Sequence, residues 1–261
     1  MTAMPRTLPY PFGARRAHRV LERNILSYRH QWLILLSGFF EPVFYLLGLG
    51  FGLGVLVGPI DGVPYAVFVA PALLATSSMN GAIYDSTFNL FYKLKYAHTY
   101  DAMLATPLGV QDVALGEVTW ALTRGALYAV GFMVVMLLLG LVASPWAILA
   151  VPASLLVGYA AAGLGTAATT YVRKWQDFDL VFVITLPLFL FSATFFPITT
   201  YPEPLRTFVE ITPLYRGVHL IRGLTTGVIE PMLLFDCVYL LVLGTIGMRI
   251  TARRLNRLLT K

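Results

Sequence analysis

The chain has 261 residues, of which 57% are hydrophobic and only 12% charged, with a formal net charge of +6. That is about half the charge of an ordinary soluble domain, which excludes a soluble enzyme and points to an all-α, polytopic membrane protein. Lys and Arg gather at the ends of hydrophobic runs rather than along a stripe, a pattern of anchoring and topology with no sign of nucleic-acid binding. The single cysteine, Cys237, excludes an intrachain disulfide framework and a cysteine-based zinc site.

Residues 1–13 are proline-rich and read as irregular. Over 14–32 the period turns helical: Leu21, Ile25, Tyr28 and Trp32 form one stripe, with Arg15, Arg16, Arg19 and Arg23 opposite. This predicts an interfacial helix whose apolar stripe meets acyl chains while its arginines meet anionic headgroups of membrane lipid. No cleavable signal peptide is expected, because no A-x-A-like site follows the basic region. Six spans are then predicted, at about 32–57, 64–85, 117–142, 146–172, 178–197 and 231–249. The first carries Glu41-Pro42 and the glycines of GLGFGLG, small residues that permit close helix approach.

Between the second and third spans lies the longest polar stretch, 84–117, with Lys93, Lys95, His98, Asp101, Asp112 and Glu117. Such a loop belongs in water. Its centre, HTYDAMLATPLG, predicts a short helix capped by Thr99, with Asp101 in its first turn and Pro107 and Gly109 ending it. Tyr100, Met103 and Leu104 give that helix an apolar edge, and the loop is expected to have no core of its own to bury it. The connector 197–227 holds four prolines and predicts two amphipathic helices, Glu203–Ile211 and Pro213–Thr225, too short to cross and expected to be re-entrant. Of 19 Lys and Arg, 15 fall in the termini, the 84–117 loop and the 173–174 turn, and three in 197–227. The positive-inside rule therefore places both termini and the 84–117 loop in the cytoplasm and the connector outside.

With that topology, three blocks carry a resemblance: YAVFVAPALLATSSMNGAIYDSTF (65–88), TYDAMLATPLGVQDVALGEVTWALTRG (99–125) and SATFFPITTYPEPLRTFVEITPLYRGVHLIRGLTTG (192–227). The chain resembles the membrane subunit (permease) of a type-2 ATP-binding-cassette exporter, in particular the branch of lipo-chitooligosaccharide, or nodulation-factor, export permeases. The resemblance implies an inner-membrane transport subunit, itself not an enzyme, that works as a dimer with a second permease copy, identical or homologous. It implies a coupling helix in 84–117 that meets an ABC ATPase, with Tyr100, Asp101, Met103, Leu104, Thr106 and Pro107 as the contacting residues. No G-x-x-x-x-G-K-[ST] loop occurs in the sequence, so ATP and magnesium are expected on the partner chain, with no cofactor here. The cargo implied is an amphipathic lipo-oligosaccharide or lipid-linked glycan, and a drug or antibiotic is the alternative.

Charges inside spans mark function or structure. Glu41 either lines the substrate path or is a structural partner, capped near Pro42 or paired with Arg124. Arg124 either joins that path or snorkels to the cytoplasmic headgroups. Asn80 and Asp85 are expected to pack between helices. His98 lacks a second ligand at metal spacing. His219, with Arg216 and Arg222, forms either a headgroup or phosphate contact or a solvated face. A membrane-embedded enzyme would need clustered carboxylates or histidines, and a secondary transporter more intramembrane charge than Glu41 and Arg124.

Overall fold

A computed structural model of the chain describes residues 16–29, 40–60 and 62–259. The proline-rich start, Arg15, Trp32 and the beginning of the first span lie outside them. Besides the short 3-10 turns Trp175–Phe178 and Ile198–Thr200, the described residues form ten helices: α1 Ala17–Tyr28, α2 Phe40–Val57, α3 Tyr65–Lys95, α4 Thr99–Leu104, α5 Val110–Leu138, α6 Pro145–Thr169, α7 Asp179–Phe191, α8 Glu203–Ile211, α9 Pro213–Thr226 and α10 Met232–Leu259. Five of them (α2, α3, α5, α6 and α10) are long and apolar enough to cross a membrane.

The bundle is built around α3. In its most apolar stretch 83% of the residues are buried, against 17% in α2, so α3 is the central post and α2 lies outside. The surface of α3 is apolar nearly all round, as a helix surrounded by others requires. Phe68, Val69, Leu73, Leu74 and Met79 pack with Phe132 and Met136 of α5, Val157 of α6, and Leu214, Val218 and Ile221 of α9. Pro71 interrupts the backbone ladder of α3. Nearby, the Arg222 guanidinium lies 3.9 Å over the Phe68 ring and donates to the Phe68 carbonyl at 3.1 and 3.2 Å and the Ala193 carbonyl at 2.8 Å. One side chain thus ties α9 to α3 and to the turn after α7.

Helices α6 and α10 make the closest crossing. A Cβ added at Gly163 would sit 2.5 Å from the Gly244 carbonyl oxygen, so the two backbones touch. Thr166 and Thr251 hydroxyls meet at 2.9 Å beside this contact, and Arg254 donates to the Thr170 carbonyl at 3.3 Å, satisfying an end group of α6.

Three expectations change, and the connector keeps its predicted helices. The polar stretch 84–117 is mostly helix: α3 runs on to Lys95, α5 starts at Val110, and only 96–109 lies between. At 31 residues α3 is roughly 46 Å long, well over the ~30 Å hydrocarbon core. The predicted fifth span holds the 13-residue α7, which rises only about 20 Å. The chain breaks after Phe191, with Ala193 in the left-handed region at φ 54°. In the connector, α8 and α9 have the predicted ranges to within one residue. Leu214, Val218, Ile221 and Leu224 of α9 are buried, whereas Phe208 of α8 points outward. Finally, α1 has a third face that a two-sided reading misses. Ala17, Val20 and Asn24 are buried on α5, where Gly116 has no side chain to hold the helices apart. Ile25 and Leu26 stay exposed.

Candidate functional site

The end of the bundle bearing α4 is where the candidate residues read from sequence, Glu41 excepted, converge. His98 enters it in the left-handed region at φ 47°, and its Nδ1 lies 3.0 Å from Asp101 Oδ2. Thr99 makes no cap: it is the first helical residue, no side chain caps the helix start, and Asp101 lies in the first turn with its carboxylate exposed. At the other end Thr106 Oγ1 donates to the Met103 carbonyl at 2.5 Å. Asp112 then accepts from the Gly109 N–H and, through its second oxygen, the Arg16 N–H, each at 2.9 Å. One carboxylate therefore starts α5 and fixes α1 beside it.

The apolar edge of α4 does not face outward. Tyr100 and Met103 are buried among Val20 of α1, Leu90 of α3 and Val113 of α5, with Leu94, Leu104 and Leu108 packed around them. The expectation that this loop lacks a core is corrected, because the extended ends of α3 and α5 and the buried face of α1 supply one. Asp101, Ala102, Ala105, Thr106 and Pro107 form the exposed side, and Leu104 is partly covered.

Two buried ion pairs underlie α4. Lys93 Nζ lies 2.6 Å from Glu117 Oε2 and 3.3 Å from Asn24 Oδ1, joining α3, α5 and α1. Deeper, Arg124 donates from Nη1 to both Asp85 oxygens at 3.2 Å and from Nε to the Tyr128 hydroxyl at 2.9 Å. It also lies 5.0 Å over the Tyr84 ring, and Asn89 donates to Asp85. The Arg124 side chain is 5% exposed and that of Asp85 2%, so Arg124 neither snorkels nor pairs with Glu41. A buried guanidinium needs a partner of opposite charge, and Asp85 is it. Glu41 is exposed instead, lining an open groove of about 570 Å³ with Phe40, Phe44, Tyr45, Gly48 and Leu49.

The Arg173–Asp177 turn joins the same end. Trp175 packs against Phe88, Phe91, Tyr96 and Phe178, with ring centroids 5.6–6.3 Å apart. Asp177 accepts from the Arg173 and Lys174 N–H groups at 2.9 and 3.0 Å, and these bonds hold its carboxyl below the usual range. Sequence reading missed the Lys93–Glu117–Asn24 cluster and this aromatic contact. The residues were visible, but their pairing across 24 and 69 positions has no local signature.

At the opposite end Asp236, fully buried in α10, lies 3.3 Å from Arg216 and 2.6 Å from His219 Nδ1. Arg216 and Arg222 are thus both engaged inside the protein, which corrects their reading as a solvated or headgroup-facing set. The buried charges are paired with one another, an arrangement suited to holding helices together rather than to acid–base chemistry on a substrate.

This geometry joins what the comparisons with known proteins find. The ABC-2 type transporter family matches residues 17–225, from α1 to the end of α9. Nodulation protein J of Rhizobium leguminosarum bv. trifolii is 35% identical over 221 residues, 83% of this chain and 84% of that protein. The protein of that name from Rhizobium leguminosarum bv. viciae is 32% identical over 256 residues, 95% and 98% of the two chains. The one from Neorhizobium galegae is 28% identical over 257 residues, 95% and 97%. A matched region holding α3, α4, α5 and the packed connector, with full-length relatives on both sides of 30% identity, settles the kinship: the chain belongs to the ABC-2 type transporter family.

Proposed function

We propose that this permease docks an ABC ATPase through the exposed side of α4 and exports an amphipathic lipo-oligosaccharide across the cytoplasmic membrane, with both termini and α4 inside. The observation that carries the reading is the mounting of α4. It is six residues long, far too short to stand alone, yet it is held by α1, α3 and α5 at the tip of helices that outreach the bilayer. A push on α4 therefore reaches two spans and the interfacial helix together. ATP and Mg²⁺ bind the separate ATPase, whose two nucleotide states must contact α4 differently to drive any change. The docking residues are Asp101, Thr106 and Pro107 on the exposed side, with partly covered Leu104 at its edge. Tyr100 and Met103 act from behind, by holding the helix.

A second copy of the chain covers α2 and α7. Helix α7 has no buried residue, and Phe182, Val183, Ile184 and Leu186 are all exposed. Phe44, Phe51, Val55 and Leu56 of α2 are exposed too, beside the Glu41 groove. A seam between two copies there gives the cargo glycan a carboxylate and its acyl chains an apolar wall. Helices α8 and α9 form the outer re-entrant cap.

The test of docking is Asp101→Arg combined with Ala102→Trp, which changes only the exposed side. Permease abundance and melting temperature should stay at wild type. ATPase recovered on purification should fall about tenfold or more, with export falling in parallel. Wild-type recovery and export would remove α4 from the interface. Lipid and glycan extracts of cells with and without the chain then identify the cargo: loss of an extracellular lipo-oligosaccharide supports the reading, and changed drug sensitivity alone replaces it with efflux.

A further inference from the structure

The exposed face of α10 changes character along a single stripe. Phe235, Val238, Val242 and Ile246 follow at intervals of three and four residues, which keeps them on one side of the helix, and all are exposed. Arg249, Arg253 and Arg257 continue that side at the same intervals, and they are exposed too. The opposite side, with Gly244, Gly247 and Thr251, is buried against α6. No salt bridge among the described residues involves any of the three arginines. A helix dipole favours cations only in the last turn, so it accounts for Arg257 but not for Arg249 or Arg253. The positive-inside rule sets their side of the membrane, not their alignment beneath an apolar stripe.

A fourth arginine is held next to this ladder. Arg254 donates from Nη2 to the Thr170 carbonyl at 3.3 Å, and its guanidinium lies 3.8 Å over the Tyr171 ring, while its Nε is buried without a partner. These contacts orient the charge but do not neutralise it. The next turn adds exposed Arg173 and Lys174, and its carboxylate, Asp177, is engaged with their backbone N–H groups. Thr169 donates to the Ser86 carbonyl at 3.0 Å, which puts the arginines at the end of the bundle where α3 runs on towards α4.

We propose that this stripe is a binding site for an anionic phospholipid of the leaflet at the α4 end. Arg249 and Arg253 hold the headgroup phosphate, Arg254 adds its charge from the side, and an acyl chain lies on Val242 and Ile246. The dimensions match: at 1.5 Å per residue, the ten residues before Arg249 rise about 15 Å, half of the ~30 Å hydrocarbon core. Arg253 stands about 6 Å beyond Arg249, still within the headgroup layer, and Arg257 a further turn out. A lipid fits better than a second protein copy, because the copy proposed above covers α2 and α7 and leaves this face of α10 free. A bound lipid fixes the depth of α10, and with it α6, whose backbone touches α10 at Gly163 and Gly244. That the leaflet is the cytoplasmic one rests on the topology proposed above.

Ile246→Cys in a Cys237→Ser background puts one fluorescent label on the stripe, a turn from Arg249. The labelled permease, purified with its ATPase, is reconstituted in phosphatidylcholine with increasing phosphatidylglycerol, one of the two lipids carrying brominated, quenching acyl chains. Phosphatidylglycerol should be preferred at the label by about tenfold or more, and raised salt should shrink the preference. Arg249→Gln and Arg253→Gln should each lower it roughly fivefold, the double variant should leave none, and Arg257→Gln should cost less. The melting temperature without phosphatidylglycerol should stay at wild type in all three single variants, since these side chains are exposed. Equal quenching by the two lipids, or a preference that survives in the double variant, would overturn the site. Quenching by neither lipid would overturn it by showing that protein covers the stripe. Loss of the preference on adding inorganic phosphate at constant ionic strength would make the ladder a site for soluble anions instead. None of these outcomes depends on where the ATPase docks or on which side α4 faces, so either reading can fail separately.

Discussion

Breaking the Asp85–Arg124 pair is expected to cost about 3–5 kcal/mol of stability from either side, because the remaining charge stays buried without its partner. Arg124→Ala strands the Asp85 carboxylate between α3 and α5, with Asn89 the one side chain among the described residues left to donate to it. Asp85→Ala strands a guanidinium that keeps the Tyr128 hydroxyl and two ring faces, none of which neutralises it. Both single variants should therefore be recovered poorly and melt at much lower temperature in detergent. The double replacement Asp85→Leu/Arg124→Met should recover most of the loss, since an apolar pair needs no partner. Glu41→Ala, at an exposed position, should leave the same curve nearly unchanged. Recovery of Arg124→Ala to wild-type melting temperature would remove the pair as a structural tie.

Gly163→Leu is expected to abolish folded protein. Even a methyl group there would lie 2.5 Å from the Gly244 carbonyl oxygen and 3.0 Å from its Cα, so backbone must move rather than a side chain turn away. Overpacking of ordinary cores costs about 1–3 kcal/mol. A wedge between two touching backbones should exceed that and consume most of the ~5–15 kcal/mol that a folded protein has. The monodisperse peak on size-exclusion chromatography should disappear. Gly52→Ala, whose added methyl would come no closer than 3.9 Å to the Leu47 carbonyl oxygen of its own helix, should keep it. A folded Gly163→Leu protein would mean that α6 and α10 cross elsewhere.

These two sites show where the sequence could be read and where it could not. Hydropathy, turns and prolines are local signals, and they located α8 and α9 to within one residue and the cores of α3, α5, α6 and α10. They also put Asp85 between helices. What the sequence hides is partnership. Lys93 and Glu117 look like solvated loop charges until α3 and α5 are seen to run on and bring them together, at which point each cancels the cost of burying the other. Tyr100 looks like an exposed anchor because its shelter comes from Val20, 80 positions earlier, through a face of α1 that Gly116 makes possible. Arg124 was open to Glu41 or to headgroups because nothing in the linear order favours Asp85, which is 39 positions away, over either. The predicted fifth span reads as one apolar run because its break after Phe191 consists of small, uncharged residues, Ser192, Ala193 and Thr194, with no charge to mark it.

The central claim, that the exposed side of α4 meets the ATPase, is tested most directly by placing a single reactive group there. In a Cys237→Ser background, Ala102→Cys puts one thiol on that side, and Thr207→Cys puts one on the exposed surface of α8 at the far end of the chain's topology. Each variant, purified with its ATPase, is treated with a short thiol-to-amine cross-linker and resolved by mass. The account predicts a permease–ATPase adduct from Ala102→Cys and none from Thr207→Cys. An intact complex giving no adduct from Ala102→Cys, or an equal adduct from both positions, would contradict it.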